Sequence, residues 1–290
     1  MSFFSKLLNR KECTAEESVQ ESNLPLVTEQ PNVRILLHEA DIEGSLKGVF
    51  SVSPLGKVNF SKGNLQFRAS DSSWHFAEHQ YEIIGDENAL ISPINDKYID
   101  LFCWGASGFN NKYPFFGDVG DPFLYDCEGK NIASTRYDWG LNNFIDNGGN
   151  KPGLWRTLTK DEWVYLLNGR KNAPNLHTFG KVAGICGLIL LPDDYTGDEF
   201  VIDANDFDSN IFTIEDWCNV ETKGAVFLPC AGHRGSGTQL YHINASGRYW
   251  SASCADSGMA FCFCVENKYL SAEMEEFRES GISVRLVRDY

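Results

Sequence analysis

An α+β domain, with antiparallel strands, long loops and two main helices, is the fold class this sequence predicts. Three features predict it. Short blocks of apolar and polar residues alternate from Asn32 onward, the period of half-buried strands. Two segments, opening at Thr159 and Thr213, carry the side chains of a capped helix start. Between Asp100 and Asn150, Gly, Asn, Asp and aromatic residues accumulate without period, which suits loops pinned by buried rings.

The chain has 290 residues and reads in three parts: an N-terminal docking helix and linker over 1–33, a β-rich part over 34–150, and a core with a C-terminal display region over 151–290. Phe3, Phe4, Leu7 and Leu8 fall on one side of a short helix, with Lys6, Arg10 and Lys11 around it. Residues 1–12 read as a docking peptide for a larger assembly, or else as a frayed terminus. Glu12–Pro31 is polar, acidic and bounded by prolines, as linkers are. Strands are expected at Val33–Leu37, at Gly48–Ser53 and Lys57–Phe60 joined by a turn at Pro54–Gly56, and at Asn64–Arg68, Trp74–Ala77 and Tyr81–Ile84.

Thr159 and Glu162 form a capping box, with Trp163, Leu166 and Leu167 on one face and an end near Gly169. Thr213 opens a second helix that Gly224 closes. Gly187–Pro192 and Ala225–Pro229 read as buried strands. Near the C-terminus, Gly247–Ser253 and Gly281–Arg288 are regular strand-like blocks. They bracket Cys254–Glu279, a run of mixed side chains, which suits a frame holding a display surface. The tryptophans Trp74, Trp104, Trp139, Trp155, Trp163 and Trp250 read as core pegs.

Composition excludes several classes. Hydrophobic content of 42% with 13% aromatic supports a substantial core. A formal net charge of −15 repels phosphate backbones, so nucleic acid is not an expected partner. The longest apolar run, Ile185–Pro192, is too short to span a bilayer. The N-terminus does not read as a secretory signal, because Ser5 and Lys6 interrupt its apolar part. The expectation is a protein made in a cytoplasm, with a virion as the alternative destination. The 9 cysteines are then thiols, and no CxxC pair supports a zinc ribbon. The acceptor patterns at Asn59 and Asn244 read as chance.

Candidate chemistry is sparse. Asp203, Asn205, Asp206 and Asp208 offer oxygen ligands, but their spacing is not that of an EF-hand, and a solvated acidic loop is the better reading. Asp193 and Asp194 read as turn or cap residues. Cys262 and Cys264 share one face of a strand and could hold a soft metal, yet no histidine lies in that segment. No cofactor is expected, and His38, His75, His79 and His177 are scattered.

Seven blocks in order carry a resemblance: Gly48–Ser53 with Phe60–Phe67, Ile99–Gly108 with Asn110–Pro114, Trp155–Trp163, Gly187–Asp194, Phe227–Gly232, Gly247–Ser253 and Ser283–Arg288. Over residues 45–290 the chain resembles the Fibrobacter-type major paralogous domain family of gut Bacteroidetes and their phages. The resemblance implies a C-type-lectin-like fold related to that of formylglycine-generating enzymes. Some members of that family are variable proteins of diversity-generating retroelements, in which the segment between the YWS and SVR blocks is rewritten.

Carried onto this chain, the resemblance and the strand alternation place Phe263 and Val265 inward. They place Tyr249, Cys254, Ala255, Met259, Cys262, Cys264, Glu266, Lys268, Tyr269, Glu273 and Phe277 at a ligand-binding surface. The expected function is non-catalytic binding of a protein or glycan on a cell or particle, with homo-oligomerisation left open. The alternatives are a copper thiol oxidase of the formylglycine-generating type using Cys262 and Cys264, and an undiversified intracellular interaction protein.

Overall fold

A computed structural model describes residues 43–115, 130–202, 204–256 and 258–290. The expected docking helix at 1–12, the linker and the strand at Val33–Leu37 lie outside the described residues, as does Asp203. The described part is mixed α+β, mostly strands with few helices.

The first hairpin forms where the turn chemistry places it. Strand β1 (Phe50–Ser51) pairs antiparallel with β2 (Lys57–Phe60), and Val52 N donates to Gly56 O at 3.0 Å across the turn. Strands β3 (Leu65–Arg68) and β4 (Ser73–Phe76) make a second hairpin, to which β5 (Tyr98–Ile99) adds on the far side of β3. Tyr81–Ile84, expected as a strand, is irregular and leads into a 3-10 turn at Gly85–Ala89. Local hydrogen bonds hold it instead. Glu82 Oε2 accepts from the backbone N of Glu78 and His79, and Ile84 N donates to buried Asp100.

Short helix α1 (Trp139–Asn142) lies in the loop-rich middle. After β6 (Arg156–Thr157) comes α2 (Lys160–Val164), which runs on as a π-helical turn to Gly169. Its capping box is complete: Thr159 Oγ1 accepts from Glu162 N at 3.2 Å and Glu162 Oε2 accepts from Thr159 N at 2.8 Å. Strands β7 (His177–Val182) and β8 (Ile185–Leu190) form a hairpin, and β9 (Ile211–Phe212) adds to β7 in parallel. Helix α3 (Ile214–Thr222) opens on a second box, Thr213 with Asp216, and Gly224 closes it at φ +90° against the backbone of Gly48.

Strand β10 (Val226–Pro229) pairs with β8. Strands β11 (His233–Arg234) and β12 (Leu240–Tyr241) make a small ribbon. Next follow β13 (Ser246–Cys254), β14 (Met259–Glu266) and β15 (Tyr269–Phe277), paired antiparallel in the order β13-β14-β15. The last strand, β16 (Leu286–Asp289), inserts between β2 and β6 and closes the C-terminal end of the chain onto its first hairpin.

Among the described residues three large apolar clusters result, with a small fourth at Cys103 and Ala106. The first packs Leu188, Leu190, Val226 and Leu228 against Phe50, Phe60, Trp163, Tyr249 and Phe263. The third packs Ile189, Leu191 and Phe227 against Trp217 of α3. Residues from both faces of β8 and β10 are therefore buried, which explains their continuous apolar runs. The second cluster gathers Trp74, Trp104, Trp139, Trp155 and Trp250. All 7 tryptophans of the chain are buried.

One buried amide ties these layers together. Gln80 Oε1 accepts from Phe227 N at 2.7 Å and from Arg285 Nη2 at 2.9 Å, while its Nε2 donates to Glu221 Oε1 at 2.7 Å and Ala225 O at 3.1 Å. Replacing Gln80 with Met strands these partners out of water. Denaturant titration should show a loss of about 3–5 kcal/mol; a loss below about 1 kcal/mol would contradict the central role of this amide.

Candidate functional site

The expected display segment is the three-stranded C-terminal sheet. Its registers place Tyr249 opposite Phe263, and Trp250 opposite Cys262, which in turn faces Met274. Tyr249 and Phe263 point into the first cluster. The Phe263 ring stacks on Trp163 with centroids 4.9 Å apart, and Tyr249 Oη donates to Pro229 O at 2.6 Å. Trp250 and Cys262 belong to the second cluster, where Trp250 Nε1 donates to Phe102 O at 2.7 Å and Trp104 Nε1 donates to Ser251 O at 2.8 Å.

This corrects part of the sequence reading. Tyr249, Cys262 and Cys264 were expected outward, and all three are fully buried. The alternation argument presumes one wet face, whereas both faces of β14 are covered. Phe263 and Val265 are inward as expected, but so are the small residues of the opposite face, Ala260, Cys262 and Cys264. Cysteine acts there as a small hydrophobe. Burial pushes the Cys262 thiol well above the usual range and the Cys264 thiol up to about 11. Neutral thiols are poor nucleophiles and poor metal ligands.

Beside Cys264 the covered face turns polar. The Arg248 guanidinium pairs with Glu276 and, at 3.4 Å, with Glu266. Ser280 Oγ donates to Glu276 at 3.1 Å and Ser246 Oγ donates to Glu266 at 2.8 Å. His233, stacked on Tyr241 with centroids 5.2 Å apart, sits close enough to feel these charges. Burial first, then the Arg248 charge, push its pKa down to about 4.

The rest of the segment is accessible. Cys254, Ala255, Met259 and Glu266 are half-buried, and Lys268, Tyr269, Glu273 and Phe277 are exposed. Among the described residues β15 is an edge strand, with β14 on one side of its backbone and no partner strand on the other. At the turn from β14 to β15, Lys268 takes a left-handed backbone (φ 63°), and its N–H donates to Asn205 O at 2.9 Å, which anchors the hairpin tip. Next to Glu273, Lys160 Nζ lies 3.4 Å from its carboxylate and 5.1 Å from the centre of the Phe261 ring, and Phe261 is opposite Glu275.

Three residues of this surface escaped the sequence reading: Lys160, Phe261 and Glu275. Glu275 shares the period of Glu273 and Phe277 and was legible in the alternation of β15. Lys160 arrives from α2, and nothing local announces it.

Other candidates resolve into structure. Asp193 accepts from Ser51 N and Oγ and pairs with buried Arg170 at 3.3 Å, as a cap does. Asp206 accepts from Asp208 N at 2.9 Å, and Asp208 pairs with Lys181. The amides of Asn59 and Asn244 are engaged with Gly48 O and Cys186 N. Among the described residues no three His, Cys, Asp or Glu side chains converge into a group able to hold a metal ion, and no helix is long and apolar enough to cross a membrane. No family model, no curated protein and no solved structure matches the chain.

Two outcomes follow. Brief treatment of the native protein with iodoacetamide should alkylate half-buried Cys218 and Cys254 well before Cys262 and Cys264, read by peptide mass spectrometry; equal labelling would contradict the covered face. His233 is neutral in the fold down to about pH 4, whereas an unfolded histidine protonates near its ordinary value of about 6.5. The unfolded state therefore binds more protons between these values, and stability falls as pH drops through that window. The Tm difference between wild type and His233→Asn should shrink over the same window; a constant difference would contradict the neutral assignment.

Proposed function

We propose that the protein is a non-catalytic binding module of C-type-lectin-like fold, which grips a protein or glycan on a cell or particle through the outer surface of β15. The observation that carries this reading is the contrast across the C-terminal sheet. Its inner residues are locked by stacked rings and hydrogen bonds, while Tyr269, Glu273, Glu275 and Phe277 stand exposed along one strand. Exposed aromatic side chains interleaved with charged ones on a fixed frame are the material of binding hot spots. Met259 pairs with Phe277, and with Ala255 it extends the surface at that end of the hairpin.

A rewritten C-terminal segment fits this arrangement at the exposed positions alone. Tyr249, Cys262 and Cys264 hold the frame and are withdrawn from the ligand surface. The thiol oxidase reading is the weaker one, since its two cysteines are buried and their thiols are held neutral.

The test is binding of the purified, fluorescently labelled protein to a panel of gut bacterial cells and to a glycan array. Tyr269→Ser with Phe277→Ser should weaken any captured interaction by at least about thirtyfold, since hot-spot aromatics each contribute about 2 kcal/mol or more. The same change should leave Tm within a few degrees. Binding that survives the double substitution would place the ligand elsewhere on the molecule.

A further inference from the structure

A second concave site lies away from the display strand, against the β3–β4 hairpin. It encloses about 290 Å³, near the lower end of the roughly 300–1,000 Å³ range of small-molecule sites. Its apolar lining is aromatic: Phe67, Trp74, Tyr113 and Phe144. Phe67 and Trp74 are core residues, so this wall is rigid, and their rings sit 4.6 Å apart at 45°. Phe144, in contrast, is 61% exposed at the mouth. A large apolar ring left in water beside a preformed cleft has no structural task that the described residues show.

Among the described residues the polar lining is three amides, Asn111, Asn142 and Asn143, with the hydroxyl of Ser72 and one lysine. Asn142 Nδ2 donates to Ser107 O at 3.1 Å and to Asn143 Oδ1 at 3.0 Å. Both of its N–H groups are used, so what Asn142 can still offer a ligand is its carbonyl oxygen. Asn111, exposed and held in a left-handed backbone at φ 58°, brings a donor and an acceptor to the rim. Among the described residues lining the cleft, Lys112 is the single charged one.

Each feature constrains the ligand. The net charge of −15 works against anions across the molecule. One lysine among amides does not make an anion clamp. Paired donor and acceptor amides match vicinal hydroxyls, which both give and take hydrogen bonds. A single aromatic wall suits a puckered ring whose C–H face lies on it.

We infer that this cleft is a binding site for a neutral cyclic polyol of pyranose size. The ring would rest on the aromatic wall with Phe144 at its edge, and Asn111 and Asn142 would take adjacent hydroxyls. This site stands independently of the reading of β15.

Saturation-transfer NMR on the full chain tests it, with millimolar methyl α-mannoside, methyl β-galactoside and myo-inositol as probes and adenosine as the flat comparator. At least one polyol should receive saturation on its C–H face. Phe144→Ala and Asn111→Gly, the latter keeping the left-handed backbone accessible, should each weaken that binding roughly tenfold. Tyr269→Ser with Phe277→Ser should leave it unchanged. Binding of adenosine alone, binding of no polyol, or binding unchanged in both cleft variants would overturn the proposal.

Discussion

The rest of the fold depends on where the Gln80 amide puts its four hydrogen bonds. A primary amide offers two donors and two acceptor sites, and here its bonds reach three distant segments at once. Two go to the backbone at the start of β10, one to the end of α3, and one to Arg285 just before β16. Arg285 is fully buried, among the described residues no carboxylate pairs with it directly, and burial pushes its pKa down to about 10, still high enough to keep it charged. Its charge is compensated through Gln80, whose far side faces the Glu221 carboxylate. An unpaired buried charge would be costly. The irregular loop carrying Gln80 is therefore a structural element, although it has no secondary structure.

The same logic recurs at the other buried cations. Arg170 donates to the carbonyls of Leu166, Leu176 and Leu191, and Arg234 donates to those of Asn88 and Leu101. Four indoles do similar work: Trp104, Trp139, Trp155 and Trp250 each donate to a loop or strand carbonyl. Buried carbonyls outside a regular ladder need partners, and these side chains supply them, alone or beside a backbone N–H as at Leu176 and Phe102. Long irregular segments can be folded to fixed positions in this way, and that is how the loop-rich middle of the chain supports both the C-terminal sheet and the aromatic cleft.

What was legible in the sequence is local chemistry. Both capping boxes, the turn at Pro54–Gly56 and the continuous apolar run of β8 depend on neighbours a few residues apart, and they form as read. What was not legible depends on remote partners. Tyr81–Ile84 has the composition of a strand, but Gln80 is held elsewhere and no edge is offered to it. The alternation of β14 was correctly seen, yet the number of its covered faces is decided by segments far away in the chain, such as Phe102–Trp104 and Arg278–Val284. Cys262 and Cys264 therefore looked like display residues while serving as packing. One clue was present: in Ala260–Val265 no residue is charged or strongly polar, as in a doubly covered strand.

The separation of frame from surface has a physical consequence for how this protein can change. Side chains on β14 touch two clusters, so a change of one methylene there disturbs packing on both faces. On β15 the exposed positions Tyr269, Glu273, Glu275 and Phe277 contribute little to either cluster, and substitutions at such sites usually alter stability by no more than about 0.5 kcal/mol. Against a folded state worth roughly 5–15 kcal/mol, all four could vary together without unfolding the domain. Glu276, one residue from two of them, could not, because it neutralises Arg248 in a buried pair. Tolerance along this strand is thus set residue by residue by what each side chain touches, and a surface evolving under selection for binding would be expected to vary in that alternating pattern.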